Sequence, residues 1–404
     1  MPRRRDRSER SGLLELIEPT PRVAPACPDF GKCGGCSFLD IPYEAELELK
    51  RKIVERALGQ LVRSSDRLEV VPSPRVRGYR NKMELSFGDT GKDGVLALGI
   101  RKRGSFYEVA IPEFCELIPD DFRTIILLAL EYFRGTGETF YHRKMHTGRL
   151  RYLVLRRGEF TGEILVNLVT AEGSWDLQDW VSGLLGLPLE GKIVGILHTA
   201  STSRADAVVP DSVEVLFGRD CFYEKICGLT FGISPFSFFQ TNSGGAELLY
   251  EAVRECVGGT GGKVYDLYCG TGTIAQVLSP YAKEVVGIEL VPEAVAAAQE
   301  NARLNGIENC RFIAGDVLSQ DLVLCPDVLV LDPPRSGVHP KAIEKLVGLG
   351  ARKVVYVSCK PESLARDLPF FLEGKYRVGD IRVHDMFPRT PHVETIVLLC
   401  RGDT

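Results

Sequence analysis

No stretch of the 404 residues approaches the roughly eighteen uninterrupted apolar positions of a membrane span. The Arg-rich first ten residues are not followed by the apolar core of a secretion signal. Together these absences give the expectation of a cytoplasmic chain with no membrane partner. A strong overall charge is also missing: the formal net charge is -4, which does not by itself announce a nucleic-acid partner. The charge is nevertheless unevenly spread. Residues 1–10 carry five Arg against two acids, 75–103 carry eight Lys and Arg against three acids, and 142–157 carry six against none. A basic groove on an otherwise acidic protein gives such segregation, because Lys and Arg gain affinity by releasing counterions from phosphates. Solvated faces are the simpler reading of any one stretch. The twelve cysteines lie in a chain without a secretion signal, so metal ligation or catalysis suits them better than disulfides.

A third glycine at dinucleotide spacing is lacking from Val264-Tyr-Asp-Leu-Tyr-Cys-Gly-Thr-Gly-Thr273, around which the rest of the chain is organised. Strand-prone residues there run into a Gly-x-Gly turn, and a helical pattern (Ile274, Val277, Leu278) follows. Gly270 and Gly272 are expected to let backbone approach a ligand, with free N–H groups at the start of the helix. Asp266 would set a carboxylate beside the loop, repelling a pyrophosphate but suiting a cation, which favours S-adenosylmethionine over NAD. The next strand ends on Glu289, well placed to bond a ribose diol. A tight turn with no ligand is the bland alternative.

Toward the N-terminus, Cys27-Pro-Asp-Phe-Gly-Lys-Cys-Gly-Gly-Cys36 sets three thiols in a C-x5-C-x2-C array. Cys115 is the best candidate for a fourth, in a turn bounded by proline. Four thiolates suit zinc or an iron-sulfur cluster, and spacing does not separate the two. A helix is expected over Tyr43–Leu58 and another over Phe122–Phe133. Strands are expected over Lys82–Phe87, Val95–Ile100, Phe106–Val109, Arg151–Arg156, Glu163–Val169 and Lys192–Thr199. This is a mixed α+β region. Its segments Arg77-Gly-Tyr-Arg-Asn-Lys82 and Arg101-Lys-Arg103 interleave cations with aromatics, as single-stranded RNA recognition does.

Beyond Pro235, strand and helix alternate through Val264–Tyr268, Val285–Ile288, Cys310–Ala314, Val328–Leu331 and Val354–Val357, closing with a pair around Arg382 and Thr395–Leu399. That order reads as a doubly wound parallel sheet with an antiparallel last strand. Strand four ends in Asp332-Pro-Pro-Arg335, a rigid edge beside the cofactor. Strand five ends in Ser358-Cys359-Lys360, where a cysteine at the carboxyl edge is a candidate nucleophile. Glu394 enters the last strand, where an acid is unexpected, and is either a solvated flank or a general base.

These motifs together closely resemble those of the RNA 5-methyluridine methyltransferases, in particular the iron-sulfur members acting on bacterial 23S ribosomal RNA. The resemblance runs from Cys27 to Leu399. It is carried by the four cysteines, Phe239-Gln-Thr-Asn242, Asp266 to Thr273, Asp332-Pro-Pro-Arg335, Ser358-Cys359 and His392-Val-Glu394. It implies a class I α/β fold: a C-terminal doubly wound, Rossmann-like methyltransferase domain over 236–404, and an α+β domain over 27–235 that binds RNA and carries the cluster. Residues 1–26 would be a flexible basic tail. By the same resemblance Cys27, Cys33, Cys36 and Cys115 hold a 4Fe-4S cluster, Gln240, Tyr268, Glu289 and Asp332 bind S-adenosylmethionine, Cys359 is the nucleophile and Glu394 the base. The implied partner is RNA, ribosomal in the first place and transfer RNA in the second, met by a monomer. Two departures bear on the target. About two dozen residues precede Cys27, too few for the small β-barrel that many such enzymes carry there, and Lys360 stands where most have Asn.

Overall fold

The computed structural model describes residues 15–61, 68–91, 94–171, 175–204 and 208–402. Helix α1 (Tyr43–Leu58) has the bounds its sequence pattern predicts. Strong helix formers fill it, Glu44 and Glu46 lie in the first turn and Arg56 in the last, and Gly59 ends it with φ +53°. After it the short strand β1 (Val70–Val71) joins the edge of a sheet built mainly from the far end of the chain. Helix α1 and strand β1 thus pack across the boundary that the sequence suggests at 235/236: Val54 and Leu58 share a core with Leu364 and Leu368, and β1 pairs with the strand over Tyr376–His384.

Among the described residues seven strands form the central sheet: β2 (Lys82–Asp89), β3 (Leu96–Arg101), β4 (Val109–Ala110), then, after helix α2 (Asp120–Thr136), β5 (Leu150–Arg157) and β6 (Glu163–Thr170), and after helix α3 (Gln178–Leu185), β7 (Lys192–Ala200) and β8 (Ser212–Gly218). Their spatial order is β4-β3-β2-β5-β6-β7-β8. Neighbours are antiparallel except β6 and β7, which α3 joins by a crossover. Helix α2 buries Phe122, Ile125, Ile126, Ala129, Leu130 and Phe133, the i, i+3, i+4, i+7 stripe of an amphipathic helix. Facing it are Leu85, Phe87, Leu153 and Leu155, alternate residues of β2 and β5. Each such fully buried side chain is worth about 1.5–3 kcal/mol of transfer energy. The sequence pattern does not anticipate α3 or β8; nearly all of β8 is exposed at the sheet edge, so burial imposes no alternation on it.

The hairpin β9 (Phe222–Ile226) and β10 (Leu229–Ile233) leads into helix α4 (Ser243–Val257). Then come β11 (Lys263–Leu267), α5 (Thr273–Leu278), β12 (Glu284–Glu289), α6 (Pro292–Leu304), β13 (Cys310–Ala314), β14 (Val328–Leu331), α7 (Pro340–Gly348), β15 (Lys353–Ser358), α8 (Pro361–Glu373), β16 (Tyr376–His384) and β17 (Glu394–Arg401). The second sheet is ordered β1-β16-β17-β15-β14-β11-β12-β13. Strands β11 to β15 are parallel and β17 runs against both its neighbours. Both faces are covered, one core cluster gathering α4, α5 and α6 and the other α1, α7 and α8. The near-continuous Val and Leu runs of these strands follow from that double coverage. This is a Rossmann-like α/β fold, and its chain order reverses between β11 and β14, where such sheets bind ligands.

A buried ion cluster locks α1 to the loop before β17. Lys50 Nζ lies 2.5 Å from Asp385 Oδ1 and 2.9 Å from Glu46 Oε1, with all three side chains fully buried. It also donates to the Phe387 carbonyl at 3.1 Å. Tyr43 donates to Asp385 Oδ2 at 2.8 Å, and Arg389 N to Glu46 Oε1 at 2.6 Å. Removing the one ammonium strands two carboxylates in the interior. Lys50→Met is therefore expected to lower unfolding free energy by about 3–5 kcal/mol, measured by urea denaturation; a loss under 1 kcal/mol would show that the cluster is not held as described.

Candidate active site at the carboxyl edge of the parallel sheet

The turn after β11 is shaped by three residues with positive φ: Tyr268 at 66°, Gly270 at 52° and Gly272 at 74°. Tyr268 N and Cys269 N both donate to the Ile288 carbonyl, which draws the turn over the end of β12. The two glycines differ in purpose. A Cβ on Gly270 would meet nothing within 4 Å, whereas one on Gly272 would sit 2.6 Å from Phe312 and 2.8 Å from Ala298. Open space for a ligand is thus a property of Gly270, while Gly272 is required by packing. The expected free N–H groups of α5 are partly spoken for as well: Ala275 N donates to Asp266 Oδ2 at 2.9 Å. Asp266 Oδ1 is buried and has no partner among the described residues, and burial pushes this carboxyl up to about 8, with Asp332 and Glu289 adding repulsion. Glu289, at the end of β12, accepts from Gly270 N and Val291 N at 3.1 and 3.0 Å. Its carboxylate braces the loop from below.

Cys359, Glu394, Asp332 and Arg335 converge on the next sector of the edge. Antiparallel pairing sets Ser358 of β15 opposite Thr395 of β17, so the residue after one and the residue before the other, Cys359 and Glu394, meet one step beyond. Burial pushes the Cys359 thiol up to about 11; the Glu394 and Asp332 carboxylates add to this and the Arg335 guanidinium opposes it. Glu394 is 4% exposed, and its carboxyl is raised well above the usual range by burial and then Asp332, against Arg335. Burial alone raises Asp332 to about 7. Helix α8 fixes the loop: Ser363 Oγ donates to the Arg335 carbonyl at 2.8 Å, and Asp367 accepts from Val338 N at 2.9 Å and the Tyr356 hydroxyl at 2.7 Å. Ser358 Oγ bonds both the amide and the carbonyl of Lys360, closing the turn around the thiol.

One neighbour went unread in the sequence. Tyr250 fits the apolar stripe of α4, yet Asp332, Asp266 and Glu394 all lie within electrostatic reach of its phenol and, after burial, raise it further. Only the fold reveals this, since nothing in the local pattern distinguishes Tyr250 from a core residue. Gln240 stands in the loop before α4, its carbonyl accepting from Asn81 Nδ2 at 2.9 Å. Asn242 caps α4 by accepting from Gly245 N at 2.9 Å and donates to Ser73 Oγ and the Met386 carbonyl. Tyr268 is half-buried, with its hydroxyl raised to about 12 by burial and then by Asp316 and Asp367.

The basic segments are more entangled than their composition suggests. Tyr79 is 1% exposed and donates to the Pro388 carbonyl, so it is core and not a stacking platform. Arg103 donates to the carbonyls of Cys33 and Cys36 at 3.2 and 2.6 Å, and Arg123 to that of Cys115 at 2.6 Å. Cys27, Cys33, Cys36 and Cys115 line one cavity with Gly35, Ile100 and Phe114. Burial, and then the neighbouring thiols, pushes Cys36 up to about 12; burial likewise raises Cys33. Among the described residues no three His, Cys, Asp or Glu side chains are placed to hold a single metal ion. The four thiols share a cavity without closing on one point.

A family described as a methyltransferase domain matches residues 259–368. A protein of Clostridium tetani named an uncharacterized RNA methyltransferase is 45% identical over 398 residues, 97% of this chain and 87% of that one. Another so named, from Caldanaerobacter subterraneus subsp. tengcongensis, is 46% identical over 393 residues, 96% and 87% of the two chains. Among solved structures, the Pyrococcus abyssi tRNA (uracil-54, C5)-methyltransferase in complex with S-adenosyl-L-homocysteine superposes with a TM-score of 0.77 at 32% identity, covering 91% of this chain and 86% of that one.

The buried Asp266 makes stability depend on pH in a defined direction. Its folded pKa of about 8 lies above the ordinary 3.8, so the folded chain holds a proton that the unfolded chain gives up. That contribution is complete below the ordinary value and is lost as pH rises to about 8. Asp266→Asn keeps an acceptor for Ala275 N but cannot ionise. Urea midpoints of the ligand-free proteins are expected to coincide near pH 4 and to separate by pH 8, with the variant higher; a constant gap would rule out the shift.

Proposed function

The chain belongs to the S-adenosylmethionine-dependent RNA methyltransferases, and on that premise we propose that it methylates C5 of a uridine through a covalent bond between Cys359 and C6. The observation that carries this reading is the convergence of Cys359 with Glu394, Asp332 and Arg335. A small-molecule methyltransferase has no use for a strand-end thiol facing a buried carboxyl. S-adenosylmethionine supplies the methyl group, and Gln240, Tyr268, Glu289 and Asp332 would hold it; the unpartnered oxygen of Asp266 and the surplus of carboxylates fit a cationic cofactor.

Uracil C5 is too poor a nucleophile to take a methyl group unaided. Cys359, as a thiolate whose proton has passed to solvent, adds its sulfur to C6, and the pair of electrons displaced makes C5 an enolate carbon. The Arg335 charge favours the thiolate, and it is suited to steady the developing oxyanion. Once C5 carries the methyl group, Glu394 removes the remaining C5 proton, and the C6–sulfur bond breaks to return the Cys359 thiolate. A carboxylate raised by burial is a stronger base than one in water. Because a stacked uridine cannot reach this edge, the nucleotide must be flipped out. Ribosomal RNA is the first proposed substrate, on the motifs. The Pyrococcus abyssi enzyme acts on transfer RNA, which favours that RNA as the second. Mapping 5-methyluridine in both RNAs of a strain lacking the gene separates them.

The cysteine cavity has a proposed role of its own. Cys27, Cys33, Cys36 and Cys115 would hold a 4Fe-4S cluster, whose bulk asks for thiolates set wider apart than those of a single ion. Two arginines already fix the carbonyls of three of these residues. Its part is structural, tying the N-terminal loop to the central sheet, since methyl transfer needs no electron. Anaerobically purified protein is expected to be brown with about four irons per chain; stoichiometric zinc without iron would sink this assignment.

For the chemistry, Cys359→Ala is expected to abolish turnover and leave no RNA adduct. Glu394→Gln should instead stall after transfer, about a hundred- to ten-thousandfold slower, and accumulate methylated RNA joined to Cys359 as a denaturation-resistant band. Methylation by Cys359→Ala would overturn the nucleophile assignment. Normal turnover by Glu394→Gln would move the search for the base to Asp332.

A further inference from the structure

The face of the central sheet turned away from α2 leads from the loop before α4 to a second pocket. Along β2 the residues Lys82, Glu84 and Ser86 share this face, paired across to Arg156, Val154 and Tyr152 of β5. The near end touches the catalytic half of the molecule, because Asn81 bonds the Gln240 carbonyl and Arg156 the Ser237 carbonyl. Five residues further on, about 17 Å at the rise of a strand, lies an open pocket lined by Phe106, Tyr107, Tyr141, Arg143, Arg151 and Tyr152. No acid lines it.

This pocket is built rather than incidental. Arg151 is 4% exposed, and its guanidinium lies 4.7 Å over the Tyr141 ring and 5.8 Å from that of Tyr152. It is held there by donation to the Ser203 carbonyl at 2.6 Å and to Ser201. Arg143 donates to the Tyr152 hydroxyl at 3.1 Å. Tyr107 is already stacked on His142, with centroids 4.4 Å apart, so it is a fixed wall. Phe106, by contrast, is 70% exposed, a large apolar ring held at the rim of a cationic pocket.

We propose that this pocket takes an unstacked base of the RNA substrate a few nucleotides from the uridine being methylated, with Arg101 and Arg143 toward its phosphates. The proposal rests on the function proposed above. Aromatic and guanidinium planes stack any base, the arginines of the lining suit phosphate, and the shared sheet face leads to the loop of Ser237 and Gln240. Phe106 would close over the base, and the pocket would fix the register of the strand before the target flips.

The test uses the full chain and fluorescein-labelled single-stranded oligouridylates of 12 and 4 nucleotides, with binding read by anisotropy. Phe106→Ala is expected to weaken the 12-mer by about five- to a hundredfold, the worth of one stacked base. It should leave the 4-mer and the slope of affinity against salt unchanged, because no charge is lost. Phe106→Trp should retain the affinity and Phe106→Leu should not. Wild-type affinity of Phe106→Ala for the 12-mer, or an equal loss for both lengths, would overturn the pocket while leaving the methyltransferase reading intact. Failure of the wild-type protein to bind the 12-mer or bulk RNA would instead remove the RNA-uridine reading, and the pocket with it.

Discussion

One reversed strand sets the geometry of the reactive edge. In a sheet of parallel strands all carboxyl ends lie together, and the amino end of a neighbouring strand reaches that edge only if it runs the other way. β17 does so between β15 and β16. Its first residue, Glu394, thereby meets Cys359 just beyond the last residue of β15. The buried cluster of Lys50, Glu46 and Asp385 pins the loop that enters β17, and α8 pins the loop that carries Arg335. Local stiffness here comes from groups far apart in sequence.

The electrostatics of the site follow from crowding acids where water is scarce. Asp266, Asp332 and Glu394 are all raised by burial; Asp332 raises the other two further, and Glu394 and Asp332 raise Cys359. Arg335 is the opposing charge at the thiol. A ligand-free site of this kind holds protons and favours cations, which suits a sulfonium cofactor and a base that must take a proton from carbon. Hydrogen bonding separates the roles of the acids: Glu289 spends its oxygens on backbone N–H groups of the loop, while Asp266 keeps one oxygen unmatched.

The charged segments show how far composition can be trusted. Of the six cations within 142–157, Arg151 and Arg156 are buried and Arg149 and Arg157 pair with Glu138 and Asp121; Arg151 serves as a wall of the pocket, and Arg103 of the 75–103 segment as a brace for the cysteine loop. Aromatics divide in the same way. Tyr79 is locked inside, and Phe106 stands in solvent. A cation or a ring in a sequence states a capacity, and the surrounding backbone decides whether that capacity is used for packing or left for a partner.

Taken alone, the sequence determined the bounds of α1, the succession of strands along the Rossmann-like half with its antiparallel close, and the motifs at the strand ends. Those features rest on hydrophobic periodicity and turn chemistry, which act over a few residues. Tertiary structure decided the rest. It placed Val70–Val71 in a sheet whose other strands begin nearly two hundred residues later, set Tyr250 within electrostatic reach of three acids, gave Gly272 a packing constraint, and left β8 at an exposed edge that no burial pattern marks. Each depends on which surfaces meet across long separations in the chain, and so on a free energy of contact that no local window of residues contains.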